Sequence, residues 1–589
     1  MSAAAFPAVA ERDISGTWRA LYHEDFPERV PGPSLVEYYG LPINEAARAR
    51  GLAWDASILS LPEHQCRPHP ADYGSRHSNV RIWAEFHPET QQLVAYRSRR
   101  EWQAVERTIW MDGRPHPPPN APHTWQGFSI GEWEGDKLKV TTTHLKHGYV
   151  RRNGLPRSDR AMLVEYFYRN GLDHLTIVRI VDDPVYLTEP LVATSDYRLD
   201  LELRIDAYPC DIVEEVVGLP PGYVPHHLPG QNPAIDDFAT TYGLPLEAVL
   251  GGAVTMYPTF LGGEPGALPR VRTIEPVRAA GAVAGAAAEA GALEILPVQG
   301  GVYLIAGPTS NAVVQVGADG VLVVDTHGAG GGDALVAAIR TLTDAPIRYV
   351  VNTHAHPDHI GGNLEVIAAG QSVAGGNVAR AVSDAGQGAK GIAHENVLLR
   401  LESLESPPPY RAWPTDFFVE RPKDLFFNGE AVRVIHQPAA HTDGDSIVHF
   451  RGSDVIATGD VFSTVRYPVI DVEHGGSIDG IIDSLNRLLE IAVPRDRQEG
   501  GTMIVPGHGR IADEADVVEY RDMLTIIRDR IRHLIAQGYT LEQVKAERPT
   551  LDYDPLYGAA EGERLVEAVY ASLAAGGADR GGLTSRDRR

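Results

Sequence analysis

The first third of the chain alternates apolar and polar residues in short runs that turn residues separate. Three pairs of runs are clear, at 84–87 with 92–96, 128–133 with 138–142, and 163–168 with 175–180. Alternation with a period of two residues indicates strands that bury one face. Asn170-Gly171 separates the last pair and is typical of a tight hairpin turn. The pattern predicts an antiparallel β barrel or sandwich over residues 12–215, with one short helix at 43–50.

The chain changes character over residues 216–292. Glycine and proline dominate 218–222, and 278–292 consists almost entirely of Ala, Gly and Val. Such segments interrupt helices and strands and offer few large side chains for a core. We predict a connector here, with short helices at 233–242 and 245–250.

From residue 293 onward, strand-like and helix-like patterns follow each other. Apolar and β-branched runs predict strands at 301–305, 311–316, 321–324 and 347–351. A helical pattern occupies 333–341. Strands mixed with helices in this way predict a layered α/β domain, which we assign to residues 293–535.

The end of the chain is helical in pattern. Apolar residues recur at helical spacing from Val517 to Leu534, and Gly538 follows as a stop signal. Thr540 and Gln543 have the spacing of a capping box that opens the next helix. We predict a helical extension over 536–575 with its last helix at 563–573, and a disordered tail over 576–589 that is polar, basic and rich in glycine.

The densest chemistry of the chain follows the predicted strand at 347–351. His354, His356, Asp358 and His359 lie within six residues, and Pro357 and the Gly361-Gly362 pair mark the segment as a loop. Imidazole and carboxylate groups are ligands for Zn²⁺ and its neighbours in the first transition series. A single histidine is usually structural, whereas three histidines and an aspartate at this spacing indicate a metal site.

The sequence His-x-His-x-Asp-His resembles the signature of the metallo-β-lactamase-fold superfamily. The resemblance covers about residues 293–535 and implies an αββα sandwich. It also implies three further ligands that each follow a strand, and His441, Asp460 and His508 occupy those positions. Asp325, which closes the strand at 321–324, stands where the family has a structural or outer-shell aspartate.

The resemblance implies a site for two metal ions, as in glyoxalase II-like and lactonase-like enzymes, and it departs from lactamases that have cysteine at the Asp460 position. One ion would be held by three histidines and the other by an aspartate and two histidines, with a bridging aspartate between them. The three histidines are His354, His356 and His441. The aspartate and two histidines are Asp358, His359 and His508, and the bridging aspartate is Asp460. We expect two Zn²⁺ per chain, with iron or manganese as alternatives at the same ligands.

This ligand set implies a hydrolase whose nucleophile is a metal-bound hydroxide, with Asp358 as general acid and base. A small molecule with a carbonyl ester, lactone, β-lactam or thioester bond is the expected substrate. Three alternatives remain: a phosphodiesterase, iron-dependent sulfur or oxygen chemistry, and a ligand-binding protein without activity. The net charge of −25 argues against a nucleic-acid partner and disfavours the phosphodiesterase.

Length and composition set wider limits. A chain of 589 residues is too long for a single core. It contains no run of 18 or more apolar residues, so we expect no membrane-spanning helix. Residues 1–10 lack the basic start and apolar centre of a convincing signal peptide. Export to the periplasm is suspected and a cytoplasmic location stays open, and the sequence does not indicate an oligomeric state.

Two cysteines, Cys66 and Cys210, both lie in the first half of the chain. A disulfide between them would indicate an oxidising compartment, and two buried thiols are the equally weighted alternative.

The predicted barrel resembles a lipocalin-like domain found in bacterial exported proteins, on the basis of residues 108–117 and 133–136. A barrel of this type could hold a small apolar ligand. Its histidines have no ligand spacing and are expected at the surface or in turns; they are His116, His123, His144 and His147.

Three features near the metal motifs complete the expectations. An insertion at 374–424 separates His359 from His441, and it forms either a lid or pocket wall or a plain surface loop. Asp443 and Asp445 are expected to be solvated loop carboxylates, with an outer-shell role as the alternative for one of them. No cluster of Arg or Lys near the motifs indicates an anchor for an anionic substrate group.

Overall fold

The computed structural model of the protein describes residues 13–21, 33–74, 78–215, 222–256, 293–372, 388–495 and 500–581. Its contacts divide the chain into two compact units. The first comprises 1–118, 123–219 and 225–284, and the second comprises 119–122, 220–224 and 285–589. No helix among the described residues has the length and apolar character that crossing a membrane requires.

The first unit is built on a closed barrel of nine strands. In chain order these are β1 (Gly16–Leu21), β2 (Val80–Phe86), β3 (Leu93–Arg100), β4 (Glu106–Trp110), β5 (Phe128–Glu134), β6 (Lys137–Thr143), β9 (Met162–Asn170), β10 (His174–Asp182) and β11 (Leu191–Leu199). The order around the barrel is β1-β11-β10-β9-β6-β5-β4-β3-β2. Neighbouring strands are antiparallel except for β4 and β5, and a separate hairpin, β7 (Gly148–Arg151) with β8 (Leu155–Arg157), interrupts the meander. The predicted barrel is confirmed.

Large side chains from alternate strand positions pack into this barrel, among them Trp18, Phe167 and Tyr197. A buried ion pair is also present, in which Arg107 Nη1 lies 2.6 Å from Glu165 Oε2. These groups occupy the interior of the barrel.

Short helices complete the first unit: α1 (Glu45–Ala53), α2 (Ala71–Gly74), α3 (Asp237–Tyr242) and α4 (Leu246–Val249). The last two lie in the predicted connector, whose residues 225–256 belong to the first compact unit. Its backbone is bonded to the barrel's N-terminal helical region, since Tyr38 N donates to Val249 O at 2.9 Å. Arg48 Nε also donates to Leu250 O at 2.9 Å. The rest of the connector, 257–292, lies outside the described residues.

Cys66 and Cys210 form a disulfide, with their Cα atoms 5.6 Å apart. The bond closes a loop with a sequence separation of 144 residues and ties the segment after the barrel to the helical region before β2. Of the two alternatives drawn from the sequence, the disulfide is the one the structure contains.

Two mixed β-sheets form the centre of the second unit. The first sheet has the order β12 (Glu294–Gln299), β13 (Val302–Ala306), β14 (Asn311–Gly317), β15 (Gly320–Val324), β16 (Ile347–Val351), β17 (Lys390–His394) and β18 (Asp416–Phe418). The second has the order β19 (Lys423–Phe427), β20 (Glu430–His436), β21 (Ser446–Phe450), β22 (Val455–Ala457), β23 (Met503–Val505) and β24 (Ala512–Asp513). The sheets face each other across an apolar core to which Leu304, Val324, Val434 and Val505 belong.

Helices cover the outer faces of both sheets. They are α5 (Gly332–Leu342), α6 (Pro357–Ile360), α7 (Asn363–Ala368), α8 (Glu395–Ser403), α9 (Ile478–Ile491), α10 (Glu514–Ala536), α11 (Leu541–Ala546), α12 (Asp554–Tyr557) and α13 (Ala559–Gly581). Leu335 of α5 packs on the first sheet, and Leu485 and Leu524 of α9 and α10 pack on the second. The result is the predicted αββα sandwich.

The structure decides between the two alternatives for the insertion and corrects the expected end of the last helix. The described part of the insertion, 388–424, is not a plain loop, because β17 and β18 extend the first sheet and α8 lies between them. The last helix runs to Gly581, so 576–581 is helical rather than part of a disordered tail; residues 582–589 lie outside the described part. The capping box of Thr540 and Gln543 is confirmed.

Candidate metal centre

The ends of strands bring the motif residues to one edge of the sandwich. The segment after β16 turns into α6 and carries His354, His356, Asp358 and His359. Asn352 and Asn363 bracket this segment and exchange side-chain hydrogen bonds of 3.0 and 2.9 Å. The paired amides fix both ends of the motif, so its four polar side chains leave from a rigid turn.

The remaining motif residues come from the second sheet. His441 follows β20, Asp460 lies in a single 3-10 turn after β22, and His508 follows β23. The backbone at Gly507 lies very close to the side chain of Asp460, because a Cβ atom on Gly507 would be only 2.2 Å from Asp460 Oδ1. Glycine at this position lets the two strand ends meet.

Three histidines form the first group of the centre. His354, His356 and His441 each offer one ligand atom, and these atoms lie within 4.8 Å of one another. His354 and His441 are fully buried, and their rings are 4.7 Å apart between centroids.

Asp358, His359 and His508 form the second group. His508 Nε2 lies 3.3 Å from Asp358 Oδ2 and 3.3 Å from His359 Nε2. Of the two motif carboxylates, Asp358 is the more open, with 34% of its side chain exposed against 6% for Asp460.

Asp460 lies between the two groups. Its Oδ1 is 3.2 Å from Nε2 of both His359 and His508, and its Oδ2 is 4.0 Å from His441 Nε2. One carboxylate therefore faces both groups with different oxygens, which is the arrangement that a bridging ligand needs.

The donor set fits divalent cations. Nε2 of His354 and Nε2 of His441 are buried without a hydrogen-bond partner. A buried imidazole nitrogen without a partner is costly unless another group satisfies it. A cation coordinated by imidazole and carboxylate satisfies both nitrogens, and the set contains no cysteine.

Outer partners set the tautomers of these histidines. Thr353 Oγ1 donates to Asp325 and accepts from His354 Nδ1 at 3.0 Å, which leaves Nε2 facing the centre. Asp325 Oδ2 lies 2.9 Å from His359 Nδ1. Asp325 adopts a φ of 58°, an uncommon backbone conformation that directs its carboxylate under the motif.

Two more aspartates hold the other histidines: Asp445, for which an outer-shell role was the alternative expectation, and Asp471, which no pattern in the sequence indicated. Asp445 is buried, and its Oδ1 is 3.4 Å from His441 Nδ1, so the expectation of a solvated carboxylate is wrong for this residue. Asp471 Oδ2 lies 3.2 Å from His356 Nε2, which leaves Nδ1 of His356 to face the centre. His474 Nδ1 holds the same Asp471 oxygen at 2.5 Å.

The electrostatics of the protein without metal agree with this reading. Burial alone would lower the pKa of His359, but the carboxylates of Asp460 and Asp325 raise it well above its usual range. Burial lowers the pKa of His354. Burial would raise the pKa of Asp460, yet His359 and His508 hold it well below its usual range. Buried carboxylates thus draw positive charge into the centre, and a bound cation would supply it.

Arg466 is a cationic group that the sequence reasoning missed. Its Nη2 lies 2.6 Å from Asp460 Oδ2, and 31% of its side chain is exposed. Arg466 is a single arginine, so it does not form the cluster of Arg or Lys that an anchor for an anionic substrate group was expected to need. Arg466 was hard to identify from the sequence, because a single arginine six residues after Asp460 matches no motif.

A cleft of about 360 Å³ opens beside the centre. His356, Thr442 and Asp471 line it together with apolar residues from α6, α7, α8 and the segment after α8. Of the two roles considered for the insertion, its described part therefore forms a pocket wall.

Comparison with known proteins gives a family for this part of the chain. The sequence profile of the metallo-beta-lactamase superfamily matches residues 305–508. No curated protein matches the chain significantly.

Several solved structures are similar to part of the chain. A stereoselective inverting sec-alkylsulfatase from Pseudomonas sp. shares 16% identity at a TM-score of 0.36, over 47% of this chain and 50% of that one. A metallo-beta-lactamase from Pontibacter korlensis shares 16% identity at a TM-score of 0.30, over 40% of this chain and 99% of that one. The DIM-1 metallo-beta-lactamase shares 18% at a TM-score of 0.30, over 40% and 97%. The chain spans about half the length of the alkylsulfatases that it matches.

The profile match includes every histidine and aspartate of the centre and lies within the αββα sandwich. Residues 305–508 therefore belong to the metallo-beta-lactamase superfamily, and the chain carries this domain after a separate N-terminal β barrel.

Proposed function

We propose that the second unit is a metal-dependent hydrolase with two divalent cations. The first ion would be held by the group of His354, His356 and His441, and the second by the group of Asp358, His359 and His508. Asp460 would bridge them. The observation that carries the proposal is the convergence of these seven side chains around imidazole nitrogens that are buried without partners.

Two such ions, when bound, lower the pKa of a water molecule toward neutrality and polarise the bond that it attacks. Zn²⁺ is our first assignment, because imidazole and carboxylate ligands suit it, and iron or manganese would use the same ligands. The substrate that we propose is a small molecule with a carbonyl ester, lactone, β-lactam or thioester bond.

Asp358 is the residue that we assign to proton transfer. Its carboxylate is partly exposed and can reach a bound substrate, whereas Asp460 is almost completely enclosed. Burial raises the pKa of Asp358, but its hydrogen bond with His508 and the nearby His359 bring it below its usual value. The carboxylate is therefore ionised at neutral pH and can accept a proton and then return it to a leaving group.

The disulfide bears on where the protein works. Disulfides persist in oxidising compartments such as the bacterial periplasm, and the bond between Cys66 and Cys210 supports export.

Metal analysis and a substrate screen test the function together. The full-length protein, purified without added metal, should contain close to two transition-metal ions per chain, and the element found decides between zinc and iron. The zinc-loaded protein should hydrolyse at least one of four classes: lactones, β-lactams, thioesters and carboxyl esters. Phosphodiesters serve as the competing class. Stoichiometric iron with no hydrolysis in any class would reject the hydrolase and favour oxygen or sulfur chemistry.

A further inference from the structure

The cleft beside the centre is mostly apolar. Six of the side chains that line it are Ile360, Leu364, Val397, Leu404, Pro408 and Ala412. Its volume of about 360 Å³ lies at the small end of the range of about 300–1,000 Å³ that is usual for small-molecule sites. The cleft is therefore sized for a small organic group rather than for a polymer.

The wall of this cleft is preformed. Val397 is buried in a compact apolar cluster with Ile360, Leu401 and Trp413, so α8 and the segment after it are packed against α6. Trp413 Nε1 also donates to Pro408 O at 2.7 Å, which holds the proline-rich turn in place. A rigid wall binds a ligand group without a large ordering cost.

Among the Arg, Asp and Glu side chains that line the cleft, carboxylates outnumber the single guanidinium group. Arg400 is the cation from α8, and its Nη2 lies 3.7 Å from Asp443 Oδ1. Asp471, which also lines the cleft, holds His356 and His474. Glu365 adds a further carboxylate to the lining. The cleft therefore presents no excess of positive charge that would attract an anionic group.

We propose that this cleft selects substrates that carry an uncharged apolar substituent, of the size of a medium-length alkyl chain or an aromatic ring, next to the bond that is cleaved. The inference rests on the proposed hydrolase and deepens it, because it names the substrate class. It follows from the position of His356, which belongs both to the first histidine group and to the cleft lining.

Two measurements on the full-length zinc-loaded protein test the proposal. Calorimetry should show that the alkyl carboxylates from acetate to octanoate bind about three- to fourfold more tightly for each added methylene until the cleft is filled. For p-nitrophenyl esters of the same acids, kcat/KM should rise with chain length mainly through a falling KM, because the chain binds equally in ground and transition states. Suberate, in which a second carboxylate replaces the terminal methyl group of octanoate, should bind more weakly than octanoate.

A matched pair of variants locates the effect. Leu404 lines the cleft and Leu399 does not, although Leu399 belongs to α8 and Leu404 directly follows it; Leu404 is 41% exposed and Leu399 is 57% exposed. Leu404→Glu places a charge in the cleft and should reduce the preference for octanoate over acetate at least tenfold. Leu399→Glu should leave that preference unchanged.

The possible failures are distinguishable. If no ester is hydrolysed but octanoate still binds more tightly than acetate and Leu404→Glu abolishes the difference, the cleft assignment stands and ester hydrolysis is rejected. Equal binding of octanoate and acetate, or equal effects of the two glutamate variants, would overturn the cleft assignment. Tighter binding of suberate would show that Arg400 recruits an anion and would overturn the uncharged substrate class.

Discussion

Individual side chains in the candidate centre are held from outside by carboxylates that are not themselves among the seven proposed ligands. Asp325, Asp445 and Asp471 each contact one histidine through the nitrogen that faces away from the centre. Such partners fix the tautomer and the direction of the ligand and raise its basicity. The seven motif residues and these three aspartates therefore act as one polar network.

Asp460 and Asp358, the two carboxylates among the motif residues, should have different functions. Asp460→Ala removes the anion between the two groups, so metal content should fall along with activity. Asp358→Asn keeps the shape and one oxygen but cannot take up a proton, so we expect substantial metal retention with turnover lower by about 10²–10⁴-fold. Metal analysis and kcat measured on the same preparations check both. Near-normal turnover of Asp358→Asn on a substrate with a poor leaving group would remove the proton-transfer role.

Asp471 should act on the metal through His356. In Asp471→Asn the amide cannot hold the Nε2 proton of His356 in the same way, so affinity for the first ion should fall by about 10–100-fold. Competition with a chromophoric chelator measures this affinity directly. Asp424→Asn is the matched control, because Asp424 pairs with Arg433 on an exposed strand and should not affect metal binding. Equal affinities in the two variants would contradict the role.

At the scale of elements, the insertion after α7 shapes the site as much as the motifs do. It contributes β17 and β18 to the first sheet and α8 to the cleft wall. His394 closes β17 and caps α8, because its side chain accepts a hydrogen bond from Asn396 N. Its ring stacks on His436 with centroids 3.6 Å apart. The cleft wall thus begins at a pair of stacked histidines.

His394 should make the stability of the protein depend on pH. Burial lowers the pKa of His394, and the nearby His436 lowers it further, although Val419 O, Glu395 and Asp443 oppose the shift. The unfolded chain then binds more protons than the folded one below about pH 6.5, so stability falls as the pH drops through that value, by about 1.4 kcal/mol for each unit of pKa depression.

His394→Asn keeps a capping side chain but removes the titration. Urea unfolding at pH 7.5 and at pH 5.5 should therefore show a smaller acid-induced loss of stability in the variant than in the wild type. The same loss in both proteins would mean that His394 does not contribute.

At the scale of the whole molecule, the two compact units carry different kinds of stabilisation. The first contains the disulfide, and the second contains every histidine and aspartate of the candidate centre. Seven of the eight tryptophans also lie in the first unit, at positions 18, 54, 83, 102, 110, 125 and 133. Tryptophan fluorescence therefore reports mainly on that unit.

Removal of the disulfide should weaken the first unit alone. The double variant Cys66→Ser with Cys210→Ser releases a long loop in the unfolded chain, so we expect the free energy of unfolding to fall by about 2–5 kcal/mol. Fluorescence-detected unfolding in denaturant measures this loss. Metal content should stay at the wild-type value, and a drop in bound metal would show that the centre depends on the first unit.

Much of this architecture could be read from the order of residues. Period-two alternation around Asn170-Gly171 and similar turns predicted the barrel strands, because a strand buries every second side chain whatever its neighbours are. The His-x-His-x-Asp-His spacing at His354 predicted a metal site, because ligand chemistry depends on residue type and on short distances along the chain. The start of the helix at Thr540 could be predicted in the same way, because its capping box with Gln543 depends only on residues that are close in the chain.

The contacts between residues that are distant in the chain could not be predicted from the sequence. Asp471 lies 115 residues after His356 and meets it only because strand ends of different sheets converge. The cleft exists only where α6, α7 and α8 pack together, and the disulfide depends on a Cα separation that no spacing of cysteines encodes. Local patterns thus determined the elements and the chemistry of the ligands, whereas the fold decided which groups hold those ligands and what can bind beside them.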